Sequence, residues 1–398
     1  ENMYTESEVL DFIEEEDVKF IRLAFFDISG KQKNISIMPS ELPRAFKEGI
    51  SFDASAILGF ESPDKSDLFL QPDPSTLAIL PWRPTSGKVV RMFCNIKNPD
   101  GSPYKKDYRN LLKNAIKKAK DEFGIEIYIG AEVEFYLFKL NEKGEPTKEP
   151  FDQAGYMDIA PDDKGENIRR EICFTLEQMG IIPEASHHEE GPGQNEIDFH
   201  YSDALSTAYN TATFNWIFRT KAASNGLFAD FSSKPLNDKP VSGMHINISY
   251  KSLRTEDKVD YLPYMLGGIL NHIEEMTYYL NPSEESYDRL GEFKAPKYIC
   301  WGKENRSALV RVPSSKHDVR FEIRSSDPSC NPYLAFSLVI FAALDGIKNK
   351  ITPPNPVGDN LFNENFSNGL KLLPDTIDSA RTFAANSSFI KNILSQSY

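Results

Sequence analysis

At 398 residues the chain is longer than one hydrophobic core usually serves, so two folded units are expected, one small and one large. A composition of 40% apolar and 12% aromatic residues marks a globular fold, and a net charge of -14 without a compensating basic patch argues against a nucleic-acid partner. Four dispersed cysteines (Cys94, Cys173, Cys300 and Cys330), with no run of eighteen apolar residues, lead us to expect a cytoplasmic chain without disulfides or membrane association.

In chain order, a short acidic helix is expected from about Glu6 to Glu16, then a strand over Val18 to Asp27, a Ser29-Gly30 turn, and a returning strand over Lys31 to Ile37. A helix across Glu41 to Lys47 leads to a loop at Phe52 to Ala56. Strands near Leu77 to Leu80 and Val89 to Asn95 complete the first unit, which ends in the turn-rich segment Asn98 to Pro103. The second unit opens with a helix over Asp107 to Phe123, whose Lys113 to Lys120 run reads as a solvated face. A long strand follows over Ile125 to Phe138. Further helices are expected at Ile168 to Met179, Leu205 to Asn225, Leu262 to Leu280 and Pro332 to Lys348, and strands at Val241 to Tyr250 and Val319 to Ser325. The proline-rich stretch Thr352 to Asp359 reads as a surface loop.

The segment Glu184 to Phe199 organises the chemistry. It sets Glu189 before a Gly191-Pro192-Gly193 turn and Glu196 after it, where Ile197 and Phe199 alternate with Asp198 as in a half-buried strand. Two carboxylates thus converge across a bend. Residues i and i+2 of a strand share a face, so Glu132 with Glu134, Glu196 with Asp198, His245 with Asn247 and Ser249, and Arg320 with Glu322 and Arg324 form four polar faces. One such face alone is an ordinary wet side of a strand; four together describe a polar cleft. Clustered carboxylates with a single imidazole suit Mg²⁺ or Mn²⁺, and the absence of closely spaced cysteines argues against structural zinc. Arg289, Arg306, Arg311, Arg320 and Arg324 complement such metals, as phosphoryl transfer requires. With no Walker A loop or Gly-x-Gly-x-x-Gly fingerprint, a nucleotide must be held in another way. The residues alone indicate a carboxylate-bridged metal enzyme, a phosphatase among the candidates, and name no acceptor.

At these residues the chain resembles the type I glutamine synthetase family. The matching blocks are Gly130 to Phe135, His187-His188-Glu189 through Gly193-Gln194-Asn195-Glu196, Ser242-Gly243-Met244-His245, Asn305-Arg306-Ser307 with Arg311-Val312-Pro313, and Asn331-Pro332-Tyr333-Leu334 through Leu344 to Lys350. The resemblance implies an α+β fold with a small N-terminal β-grasp domain over residues 1–100. A catalytic domain over residues 104–398 follows, its antiparallel sheet forming an open half-barrel flanked by helices. It implies two or three Mg²⁺ or Mn²⁺ ions per site, one held by Glu134, Glu189 and Glu196 and another by Glu132, His245 and Glu322, with ATP as co-substrate. Glu184 and Ser249 fall with the nucleotide; Arg306, Arg311 and Arg320 with its phosphates; Arg289 and Arg324 with the acid substrate and the transferring phosphoryl group. Asp53, Glu189 and Tyr156 would collect ammonium. Asp53, with Asp67, would complete a neighbouring subunit's site, implying hexameric rings, single or stacked as a dodecamer. The implied reaction is ATP-dependent formation of γ-glutamyl phosphate followed by ammonia attack.

The chain departs from the family where the acid and ammonium bind. Lys294 stands where the family's flap carries a carboxylate, within a segment one residue shorter, Gly291 to Pro296, and is expected to repel ammonium. Pro240-Val241 replaces Asn-Gly, and Ala56 replaces a serine. An organic amine in place of ammonia, a related acid in place of glutamate, and a catalytically silent relative are therefore alternatives.

Overall fold

The computed structural model describes residues 4–395 apart from 84–85, 257, 316, 318, 364–365 and 367–368. It divides into two compact units, Glu1–Leu111 with Glu177–Gly180 and Leu394–Tyr398, and Leu112–Leu176 with Ile181–Ile393.

In the first unit, α1 (Glu6–Glu15) starts where the Thr5 side chain accepts the Glu8 N–H. It is followed by β1 (Val18–Phe26), β2 (Gln32–Ile37), α2 (Leu42–Glu48), β3 (Ile50–Asp53), β4 (Asp67–Pro72), β5 (Ala78–Ile79) and β6 (Lys88–Lys97). The sheet runs β2-β1-β6-β4-β3, with β1 and β6 parallel and β5 on the edge of β6. Its core holds Ile21, Leu23, Leu42, Leu70, Val90 and Met92, each fully buried. The expected loop at Phe52 to Ala56 is in part strand: Phe52 and Asp53 pair with Leu68 and Asp67 on β4, a long-range ladder that this polar, alternating stretch does not announce.

α3 (Tyr108–Phe123) leads into the second unit and its central strand β7 (Ile125–Leu140). Ile125, Ile127, Ile129, Ala131, Val133 and Phe135 are buried on one face of β7. The opposite face carries Tyr128, Gly130, Glu132 and Glu134. Phe135 packs its ring 4.0 Å from Phe218 and 5.8 Å from Phe214, both on α5 (Ala204–Ser224), which fixes which face is core. Around β7 the chain adds β8 (Pro146–Pro150), α4 (Glu166–Gln178), β9 (Pro183–His188), β10 (Gln194–Phe199), β11 (Ser202–Asp203) and β12 (Leu227–Asp230). β13 (Met244–Ser252), α6 (Leu262–Leu280), α7 (Glu284–Arg289), β14 (Trp301–Lys303), β15 (Val310–Val312) and β16 (Phe321–Ile323) follow. α8 (Pro332–Asn349), α9 (Ile377–Asn386) and α10 (Ser388–Ser395) close the chain.

The main path of this sheet is β14-β15-β16-β13-β7-β10-β9, antiparallel except for β14 with β15. α8 is apolar on all sides and accordingly buried along almost its whole length, its first turn capped by the Asn331 side chain. Two expected strands are shorter than the sequence suggests. β13 begins at Met244 rather than Val241, because Pro240 and Val241 turn their carbonyls to Tyr136 and Gln194. β16 stops at Ile323, and the Ser325 carbonyl instead accepts from Arg289. No helix among the described residues is long and apolar enough to cross a membrane.

Candidate active site

Strand register alone brings the polar faces together. Glu134 lies opposite Glu196 and Glu132 opposite Asp198 across β7 and β10; His245 lies opposite Glu132 across β7 and β13. Asn247 and Arg311 both lie opposite Glu322, on the two sides of β16. The carboxylates of Glu132, Glu134, Glu189, Glu196 and Glu322, with the His245 imidazole, line one cavity of about 410 Å³. Arg289, Arg306, Arg311, Arg320, Arg324, Tyr156 and Lys294 also line it.

Like charges directly opposite on neighbouring strands are destabilising, and the titration behaviour of the cluster reflects this. Burial, with Glu189 nearby, raises the Glu134 carboxyl to about 7 against the opposing pull of His245. Burial, Asp198 and Glu134 hold Glu196 well above the carboxylate range. Burial likewise raises Asp198, to about 6. Glu322 behaves oppositely. Burial would raise it, but it accepts from His245 Nδ1 at 3.0 Å, Arg311 Nη1 at 2.8 Å and Arg324 Nη1 at 2.9 Å, and these cations hold it far below the usual range. Burial and Arg324 press His245 down; Glu132 and Glu322 outweigh them and lift it to about 9.

Two groups of ligand atoms, each within 4.8 Å, have the chemistry of a cation site: Glu132, His245 and Glu322, and His187, Glu189 and Glu196. Both are oxygen-rich with one imidazole, and neither contains cysteine, which suits a hard divalent metal. In the first group His245 Nδ1 lies 3.4 Å from Glu132 Oε2 and 3.0 Å from Glu322 Oε1. In the second, the hydrogen bond from His187 Nε2 to Glu189 Oε1 (2.9 Å) raises the imidazole, which also lies 3.6 Å from Glu196. His187 was not singled out from the sequence as a ligand, although it lies two residues before Glu189 and opposite Glu196. The same rule of alternate residues reveals Gln194, whose amide bridges Glu134, the Val241 carbonyl and the Ser242 hydroxyl.

Anion-binding capacity is also present. Arg289, Arg311 and Arg324 each leave a buried Nε without a hydrogen-bond partner, while their Nη groups are anchored on backbone carbonyls or on Glu322. Gly243 brings the chain close: its N–H donates to Glu134 Oε2 at 3.3 Å, and a Cβ there would meet Arg289 Nη2 at 2.9 Å. Lys294 does not stand free. It pairs with Glu190 Oε1 at 2.7 Å at the cavity rim, 104 residues apart in sequence, a contact with no sequence signal.

A second cavity of about 830 Å³ shares Glu132 and Arg320 with the first and adds Glu184, Asp198, Tyr201, Asn247 and Ser249. Arg320 Nε donates to Asn247 Oδ1 at 3.2 Å at this junction. Asp53 belongs to the first unit and lines neither cavity; it is exposed, and the Ser55 hydroxyl and N–H on its Oδ1 lower its carboxyl.

The profile described as "Glutamine synthetase, catalytic domain" matches residues 105–398, and that described as "Glutamine synthetase, beta-Grasp domain" matches residues 17–99. A glutamine synthetase from Methanosarcina mazei is 43% identical over 98% of this chain and 91% of its own length; one from Staphylococcus aureus is 41% identical over the same shares. Among solved structures, a "GmaS/ADP complex" superposes with a TM-score of 0.87 at 26% identity, over 97% of this chain and 91% of that one. A Plasmodium falciparum glutamine synthetase superposes with a TM-score of 0.86 at 23% identity, over 100% of this chain and 94% of that one, a likeness of fold alone.

Proposed function

The chain belongs to the glutamine synthetase family, and from that premise we propose that it uses ATP to join ammonia to the γ-carboxylate of glutamate through γ-glutamyl phosphate. The observation that carries this reading is the pair of adjoining cavities meeting at Glu132 and Arg320. A nucleotide beside Glu184 and Ser249 would direct its phosphates past Arg320 towards Arg306 and Arg311. The acid would sit against Arg289 and Arg324, whose unpaired Nε groups offer donors to its carboxylates or to the moving phosphoryl group.

The carboxylate oxygen attacks the γ-phosphorus, the bond to ADP breaks, and the acyl phosphate forms. Ammonia then forms the C–N bond, phosphate leaves, and the amine nitrogen loses a proton. Glu134, Glu189 and Glu196, with Glu132, His245 and Glu322, would hold two or three Mg²⁺ or Mn²⁺ ions. When bound, these lower the repulsion between a carboxylate and a triphosphate and stabilise charge on the phosphoryl oxygens. The arginines are fixed in advance by Glu322 and the Ser325 carbonyl, so no reorganisation is needed when charge moves. Tyr156 and Glu189 at the cavity wall, with Asp53 from a neighbouring subunit of a ring, would collect ammonium. An ADP-release assay with glutamate, ammonium and Mg²⁺ tests the proposal; turnover no higher than that of E322A overturns it.

Lys294 favours a second reading of the acceptor. Its ammonium group occupies the cavity rim and is matched by Glu190, so neither carboxylate charge nor open space for a small cation is gained there. An organic amine as acceptor, or a related acid as donor, keeps the same acyl-phosphate chemistry. Amine-dependent phosphate release measures this, and equal or greater activity with ammonia alone counts against it. Cytoplasmic residence and assembly into hexameric rings, single or stacked, complete the reading; sedimentation of the purified chain tests the assembly.

A further inference from the structure

Asp152, Asp163 and His188 form a third group with the donor types of a metal site, all within 4.8 Å and all 4% exposed or less. Their hydrogen bonds leave no room for a cation. Asp152 Oδ1 accepts from Gly193 N at 2.9 Å, Ala154 N at 3.2 Å and His188 Nε2 at 2.7 Å, and its Oδ2 accepts from Lys164 N at 3.1 Å. Asp163 is saturated by the Gly165 N–H and two bonds from Arg169. His188 Nδ1 lies 2.6 Å from the Glu189 carbonyl, which can only accept. The other ring nitrogen faces the Asp152 carboxylate at 2.7 Å, so the ring bridges two acceptors.

The pair therefore grips both ends of one turn. Asp152 holds Gly193 directly and Glu189 through His188, and Glu189 to Gly193 is the segment that presents the Glu189 carboxylate to the cavity. Gly193 has φ +70°, and a Cβ there would meet the Leu137 carbonyl at 2.7 Å, so the turn admits little adjustment of its own. Arg169 adds a further tie, donating to Asn195 Oδ1 at 2.6 Å while Asn195 Nδ2 donates to the Gly193 carbonyl at 3.0 Å. We propose that Asp152 and His188 are positioning residues, a buried clamp whose task is to hold the Glu189 carboxylate at the metal-binding wall. This rests on the metal reading given above. A buried ion pair is no efficient source of stability compared with apolar packing, whereas groups behind metal ligands typically govern affinity by about 10–100-fold.

Mn²⁺ binding to the EDTA-treated full chain, followed by the electron paramagnetic resonance of free Mn²⁺ without substrates, tests the clamp. D152N can keep its Oδ1 as acceptor for Gly193 and Ala154 but loses the charge and the Oδ2 acceptor of Lys164 N; H188Q reaches only one of the two partners and gives a second measure should D152N fold poorly. The comparison variant is D345N, in a second His–Asp pair among the described residues, where His272 Nε2 lies 2.6 Å from Asp345 and neither residue lines the two cavities described above. We expect D152N and H188Q to weaken by about 10–100-fold the Mn²⁺ class that E189Q also weakens, and D345N to stay within about twofold of the parent. Parent-like binding in folded D152N beside a weakened E189Q overturns the clamp alone. Equal weakening in D152N and D345N also overturns it, since general loosening would then suffice. Parent-like binding in E189Q removes the metal reading and the clamp with it.

Discussion

Glu322 is the anion on which three cations converge, so E322Q should damage the fold before any metal or substrate is added. The carboxylate accepts from His245, Arg311 and Arg324 at 3.0, 2.8 and 2.9 Å and is 3% exposed. Glutamine can keep its oxygen at Oε1 for His245 and Arg324 but then turns its amide N–H₂ towards Arg311, so one of the three bonds is lost outright and the other two lose the acceptor's charge. At about 1.5–3 kcal/mol each, and with about 3–5 kcal/mol typical for breaking a buried pair from one side, the expected loss is about 3 kcal/mol. The lower end applies because Arg311 and His245 still reach cleft water. Urea unfolding of the EDTA-treated protein at pH 8, at matched chain concentration and followed by tryptophan fluorescence, should show a lower midpoint with an unchanged slope. An unchanged or higher midpoint would refute the claim that Glu322 is locked by these partners.

E134Q should do the reverse. Raised to about 7 from 4.5, Glu134 is ionised at pH 8 at a cost of about 3 kcal/mol at most; with allowance for cleft water we expect E134Q to raise metal-free stability by about 1–2 kcal/mol, and so the urea midpoint, while weakening Mn²⁺ binding, and a lowered midpoint would contradict this. The same linkage fixes a pH dependence. Native Glu134 holds a proton that the unfolded chain has released between about pH 4.5 and 7, and native His245 holds one between about 6.5 and 9, so both contributions to metal-free stability are present at low pH and lost as pH rises. Added Mn²⁺ should therefore raise the melting temperature more at pH 8.5 than at pH 6; equal shifts would count against the carboxylate cluster as its site. K294Q should leave stability within about 1 kcal/mol, because the Lys294–Glu190 pair is exposed, yet should change the ratio of ammonia-dependent to amine-dependent phosphate release; an unaltered ratio would exclude Lys294 from acceptor choice.

Much was legible before folding was considered. Alternation along Ile125 to Phe138, and after Gly191-Pro192-Gly193, assigned core and cleft faces correctly because the period of a strand is a local property. The helix Leu262–Leu280 matched its expected bounds, since its amphipathic run is long and ends at an Asn-Pro stop. Short polar strands were less visible. β9, with Glu184, Ala185 and Ser186 exposed, has no apolar pattern and is ordered by its ladder to β10; β3, at the edge of its sheet, is likewise ordered by its ladder to β4.

By itself, then, the order of amino acids determined which side chains share a face and what ligand chemistry they can offer, because both follow from neighbours two residues apart. Only the tertiary structure decided their charge state and partners. The cross-strand opposition of Glu134 to Glu196, the clasp on Glu322, the Lys294–Glu190 pair and the Asp152–His188 clamp join residues from distant segments. Electrostatic energy depends on through-space separation and burial, and neither quantity is written in local sequence.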